Sequence, residues 1–375
     1  MKSCPWMEVL VSENFRLPIT VKKDNQYFST LNDKFSLLKT ELSNRKAPDS
    51  LIQLSKDYCD RIVSAINFYY KGDIIKSHSI IAEMIEDCCL DNDFAISHIN
   101  DSIAFPFVQD SSKSEVQFFR ARLNEAVFDY PAEEMLHIPF SKRSIVKSER
   151  FSIPGLPCLY LGNTSYVCWI EMGRPADFRF NVSPVVLDNT QKIFNLTVSP
   201  QHFYYVIDTD MSEEERIKKL CSLFKIYLLN FATSFNVLEE NRNFKSEYII
   251  SQMIMLACKS KGLDGITYTS KRVEHEIFAR VLGVNLVLFA DFDGEESKSK
   301  ICEHIENGDS FNYSMFKQLD YSLKYKDYDL RIDQSPFIAN IGTFSRQFPY
   351  KETQFYHFDK YLFANWDRLN NKVIK

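Results

Sequence analysis

At 375 residues, with 45% hydrophobic and 25% charged side chains, the chain has the composition of an ordinary globular protein of two or three units, not a disordered or fibrous one. Its 50 acidic against 45 basic residues leave a net charge of -5. That balance offers no global attraction to phosphate backbones, and no local basic patch replaces it, so nucleic acid is not an expected partner.

The N-terminal MKSCPWMEVLVSENF lacks the apolar run of a secretory signal, and no later stretch approaches the length of a membrane span. A cytoplasmic protein without membrane contact is expected. Nine cysteines, an odd and irregularly spaced set, sit mostly in apolar contexts such as Cys221 and Cys258, where a thiol behaves as a small hydrophobe. Disulfides are therefore not expected. A metal site is not expected either, because the clustered Cys88 and Cys89 are adjacent and point to different helix faces.

Apolar positions at three- and four-residue steps predict two helices in the first hundred residues. One carries Leu51, Leu54, Tyr58, Ile62, Ala65 and Tyr69, the other Ile74, His78, Ile81, Ile85 and Cys88. The break at Lys71-Gly72-Asp73 makes them an antiparallel hairpin. His78 on that stripe is a packed histidine before it is a catalytic one. The polar run Gln109 to Ser114 has the composition of a linker.

Alternation then sets in at Val116, Phe118 and Arg120, marking a strand. Further strands are predicted at Leu156 to Leu161, Val182 to Leu187, Lys192 to Leu196, Gly265 to Thr269 and Asn285 to Phe289. Helical patterns cover Ser212 to Phe231 and Tyr248 to Lys259. Strands and helices mixed in this way predict an α+β fold. Beyond Asp293 the chain turns charged and then aromatic, with Phe311, Tyr313, Phe316, Tyr321, Tyr325 and Tyr328. Without a basic groove beside them these rings are packing groups that clamp the tail to the body, not a base-stacking surface.

The densest concentration of unusual residues runs from Pro139 to Pro175. Ser152-Ile153-Pro154-Gly155 forms a turn, Leu156 to Leu161 a short strand, and Asn163-Thr164 caps a helix that begins near Ser165. Glu171 then lies about two turns into that helix, on about 3.6 residues per turn, among Tyr166, Val167, Cys168, Trp169, Ile170 and Met172. Taken alone it reads by default as a surface glutamate or a partner for Arg174. Arg120 and Arg150 have the same bland alternative as solvated arginines.

Taken in order, the motifs resemble the RES domain family. They are Phe119-Arg120-Ala121-Arg122, Glu149-Arg150-Phe151, Pro154-Gly155-Leu156-Pro157 with Leu159-Tyr160-Leu161, then Glu171. Tyr248-Ile249-Ile250-Ser251-Gln252, Gly262-Leu263-Asp264-Gly265-Ile266-Thr267-Tyr268-Thr269-Ser270 and Val284 to Phe289 complete the set. The resemblance spans roughly residues 115 to 292. Ser251 stands where the family often has proline, and the stretches from Arg120 to Arg150 and from Leu196 to Tyr248 are longer than in compact members.

The residue patterns and the resemblance together give a helical N-terminal domain (1–110), a mixed ADP-ribosyltransferase-like RES domain (111–297) and an aromatic C-terminal extension packed on the body (298–375). The resemblance also implies cleavage of the nicotinamide–ribose bond of NAD, which is substrate and not cofactor. Glu171 would be the catalytic carboxylate, Arg120 and Arg150 would hold the pyrophosphate, and Tyr160 and Ser270 would contact the dinucleotide. A carboxylate suits the oxocarbenium-like transition state, and forked guanidinium groups suit phosphate oxygens.

No Gly-x-Gly-x-x-Gly turn follows a strand, so a redox dehydrogenase is not supported. By family analogy the implied role is a toxin or defence effector with a neutralising antitoxin or regulatory protein, and assembly of like copies stays open. ADP-ribosyl transfer to a macromolecule and a catalytically inactive binding protein are the alternatives. Water is favoured over phosphate as acceptor, because Arg122, Arg174 and Arg272 all have surface roles open to them.

Overall fold

The computed structural model describes residues 4–90, 94–98, 115–126, 129–188, 190–239, 241–272, 283–294, 297–320, 340–343 and 346–365. The Gln109 to Ser114 linker, Tyr321, Tyr325 and Tyr328 lie outside them. The fold is α+β, and the chain divides into two compact units. One comprises Met1–Ser97, Glu149–Ser152 and Phe194–Leu263; the other comprises His98–Ser148, Ile153–Ile193 and Asp264–Lys375.

The first unit is built from helices. Asp49–Tyr70 and Ile74–Cys89 pack together as the expected hairpin, with Gly72 at φ +82° in the turn and the Asp73 side chain accepting from the Lys76 amide. The buried stripe of the second helix starts at Ser77, not at Ile74, which is 48% exposed. Ile75 beside it is 85% exposed, so the first turn faces outward.

Helices Glu213–Thr233 and Ile249–Ser260 join this unit, packing on Asp49–Tyr70 and Ile74–Cys89. Nine side chains of Ile249–Ser260 are buried, Ser251 and Gln252 among them, and a helix apolar nearly all round must be enclosed by others. The division of the chain therefore departs from contiguous domains, because these helices belong with the N-terminal ones.

The second unit is organised on an antiparallel sheet. Its strands run in the order Ile305–Asn307, Phe180–Asp188, Glu115–Leu123, Cys158–Gly162, Val284–Phe289 and Gly265–Thr269, and Phe311–Asn312 also pairs with Phe180–Asp188. Lys192–Leu196 follows at the Gly265–Thr269 edge, and the chain leaves the unit within it, after Ile193.

Side chains alternate across such a sheet, and each face has its own core. Phe118, Leu159, Leu161, Val185, Leu286 and Leu288 pack on one. On the other, Phe119, Ala121, Phe180 and Val182 meet Cys168 together with Tyr313, Phe316, Phe358 and Leu362 from the tail. Tyr313, Phe316, Tyr350 and Phe358 of the C-terminal extension are thus buried packing groups, with Phe311, Phe355, Tyr361 and Phe363 half-buried against the same cluster, whereas Phe348 is 56% exposed.

Candidate active site

Glu171 is carried by the helix Ser165–Glu171, and local chemistry fixes both ends of it. Thr164, in an extended conformation, caps it by accepting from the Val167 amide at 3.1 Å. At the other end the Gly173 amide bonds to the Ile170 carbonyl (3.0 Å) and the Arg174 amide to the Trp169 carbonyl (2.9 Å). Gly173 sits at φ +83°, so the helix closes in a Schellman motif that leaves Glu171 as its last residue.

The helix lies tight on the sheet because Gly162, at the end of the preceding strand, has no side chain. A Cβ there would stand 2.8 Å from the Cys168 sulfur. The Cys168 thiol donates instead to the Phe119 carbonyl at 3.3 Å. This pins the glutamate helix to the sheet face that carries Phe119.

On that face the Glu171 carboxylate accepts from Asn285 Nδ2 at 2.6 Å through Oε1, while Arg272 Nε stands 3.9 Å from Oε2. A helix C-terminus carries partial negative charge, an unfavourable neighbour for a carboxylate, and these two groups offset it. Asn285 is 4% exposed and Glu171 keeps 30% of its side chain accessible, so the carboxylate is held from below and open above. Asn285 is the polar interruption in the apolar strand Val-Asn-Leu-Val-Leu-Phe, a signal the sequence offered and the motif comparison passed over.

Tyr160 pairs with Val287 and so shares the Asn285 face. Ser270 reaches Glu171 indirectly. Its Oγ accepts from the Arg272 amide at 3.2 Å and its own amide bonds to the Gly283 carbonyl, which shapes the turn that presents the Arg272 guanidinium. Glu171, Tyr160, Ser270, Asn285 and Arg272 therefore gather on one side of the sheet.

Arg120 does not join them. Arg120 alternates with Phe119, so its side chain leaves the sheet on the Phe118 face, where Nη1 donates to the Tyr160 carbonyl at 3.0 Å. Its Nε is buried and has no hydrogen-bond partner among the described residues. Burial, with the Arg122 charge beside it, pushes its pKa down to about 10, so it stays charged at neutral pH. Arg150 belongs to the helical unit, 6% exposed, with Nη2 near Thr233 Oγ1 (3.3 Å) and Ser234 Oγ (3.4 Å) and the guanidinium 5.0 Å from the Phe151 ring centre.

Among the described residues no helix is long and apolar enough to cross a membrane, and no three His, Cys, Asp or Glu side chains gather as a metal ion would require.

No family model matches the chain. It is 34% identical over 245 residues to a Bacillus subtilis (strain 168) protein named "Putative toxin YopC", a match that takes in 63% of this chain. The chain spans about half (53%) of the length of that relative. Among solved structures, a chain from the crystal structure of the M. tuberculosis MbcT-MbcA toxin-antitoxin complex aligns with 64% of this chain and 97% of its own length. The identity is 12% and the TM-score 0.29, too low for a shared architecture to be read from it.

Proposed function

We propose that the chain is an enzyme that cleaves the N-glycosidic bond between nicotinamide and ribose in NAD, with Glu171 as the catalytic carboxylate. The observation that carries this reading is the way Glu171 is held. Its closest partner is the neutral amide of Asn285 at 2.6 Å, and the Arg272 cation stands off at 3.9 Å. A carboxylate that must stabilise a developing cation has to be fixed without being neutralised, and a neutral donor does that where a close ion pair would not.

When the bond between ribose C1′ and the nicotinamide nitrogen breaks, its electron pair returns to the pyridinium ring, and nicotinamide leaves neutral. Positive charge is left on the ribose, where Glu171 stabilises it as carboxylates do in glycoside hydrolysis. Water adds to C1′ and gives up a proton, yielding nicotinamide, ADP-ribose and a proton. Tyr160, on the same face, is suited to stack on the nicotinamide, and Arg272 to meet a phosphate.

The ordered RES-type motifs support the substrate, and the similarity to a protein named as a toxin supports a role in depleting NAD as a toxin or defence effector. A neutralising partner belongs to the same proposal, since unrestrained NAD loss would harm the producing cell.

The test is Glu171→Gln in the full chain. The isostere keeps volume and still accepts from Asn285 but removes the charge, and NAD consumption should fall about 10² to 10³-fold or more with the fold intact. A folded variant with near-normal turnover would reject the assignment. Product analysis separates the acceptors: ADP-ribose at a rate indifferent to phosphate supports hydrolysis, while ADP-ribose attached to a macromolecule means transfer.

A further inference from the structure

The motifs that carry the resemblance stop near residue 292, yet the helix that bears Glu171 is also held from much later in the chain. The Ser165 amide, at the first position of that helix, donates to Asp359 Oδ1 at 3.1 Å, across 194 residues of sequence. Ser165 Oγ donates to the Phe355 carbonyl at 3.4 Å, and Tyr350 Oη donates to Asp359 Oδ2 at 2.6 Å. Asp359 and Tyr350 are 4% and 2% exposed. Along the flank of the helix, Tyr166 and Trp169 lie 5.2 and 5.4 Å, centre to centre, from the Phe355 ring. The segment from Tyr350 through the helix Gln354–Ala364 therefore grips the glutamate helix at its first turn and along one side.

We propose that Asp359 is a positioning residue for the reaction at Glu171: through Ser165 it anchors the first turn of the glutamate helix, which makes the C-terminal segment a working part of the active site. The catalytic meaning of this rests on the reading of Glu171 above. A helix of seven residues has no independent stability, and its first amides lack partners within it. Thr164 satisfies the amide of Val167, and Asp359 satisfies that of Ser165. Glu171 lies about 9 Å further along the axis, at about 1.5 Å per residue. A tilt of about 10° at the anchored end moves the carboxylate by roughly 1.5 Å, and a misplacement of about 1 Å can cost about 10² in rate.

The experiment uses the full chain with NAD as substrate and two readouts, amide hydrogen exchange over residues 165–171 and the separation of kcat from KM. Asp359→Ala should speed exchange in that helix at least tenfold and lower kcat ten- to a hundredfold, with KM within about twofold of wild type. Asp359→Asn, which keeps an acceptor for the Ser165 amide, should restore both.

Ser165→Pro removes the donor at a helix position that tolerates proline. It should match Asp359→Ala, and the two together should be no worse than either alone; it also serves if Asp359→Ala does not fold. Native exchange in Asp359→Ala or Ser165→Pro would overturn the anchoring. Faster exchange with unchanged kcat would overturn the positioning role. A wild-type protein that consumes no NAD would defeat the assignment of Glu171, and the exchange arm would still decide whether Asp359 holds the helix.

Discussion

Replacing Asp359 by asparagine should stabilise the protein at pH 8 and leave it close to wild type near pH 4. The Asp359 carboxyl is 4% exposed, and burial raises its pKa from 3.8 to about 7 against the lowering effect of hydrogen bonds from Ser165 and Tyr350. With the folded value above the unfolded one, the native state holds the proton more tightly. Stability from this group is full below about pH 4, falls as pH rises to about 7, and is constant beyond. A gap of about three pH units at about 1.36 kcal/mol each puts the loss at roughly 4 kcal/mol.

Asparagine has the same volume and cannot ionise, so it escapes that loss. Two described groups that feel Asp359 do not titrate in the window: burial pushes the Cys168 thiol up to about 12 and the Tyr350 phenol well above its usual range. Urea unfolding of wild type and variant side by side should show a difference that opens between pH 4 and 7 in favour of asparagine. A difference independent of pH, or one that opens in favour of aspartate, would refute the reasoning.

Gly162→Ala sets a methyl 2.8 Å from the Cys168 sulfur and should cost about 1–3 kcal/mol in unfolding experiments, with part of the loss recovered in the double variant that adds Cys168→Ala. Asn285→Leu removes the donor to Glu171 and should lower kcat about 10- to 100-fold with KM little changed, since a hydrogen bond to a charged group contributes about 1.5–3 kcal/mol. Arg120→Lys and Arg150→Lys separate two roles: a raised KM for NAD would place the residue on the pyrophosphate, whereas an unchanged KM with lower stability, the outcome the position of Arg120 favours, would make it a support of the fold.

What local sequence determines was legible. Thr164 is a cap because its hydroxyl competes for a free amide, and the strands Lys192–Leu196 and Gly265–Thr269 follow from short apolar runs between turn residues. Long-range pairing was not. The separation of 194 positions between Ser165 and Asp359 leaves no periodic trace, and a lone aspartate in an aromatic helix looks like a solvated one. The partition of the chain was hidden for the same reason. Ile249–Ser260 announces that it must be buried, but not that the N-terminal hairpin is what buries it.

The arginines show where motif order and geometry part. In NAD the pyrophosphate lies within reach of the ribose that carries nicotinamide, so a guanidinium that binds it while Glu171 faces that ribose must emerge on the Glu171 side of the sheet. One residue of register decides that, because alternation sends Phe119 toward the glutamate helix and Arg120 away from it. Arg120 is then a half-buried cation on the far face, tied by Nη1 to the backbone of Tyr160, where it braces two strands. Arg272 is the opposite case. It follows Ser270 on the near side, keeps 57% of its side chain exposed, and stands beside Glu171 without closing on it. If phosphate recognition at this site depends on a forked donor, Arg272→Lys should raise KM more than Arg120→Lys does, although only Arg120 belongs to the motif.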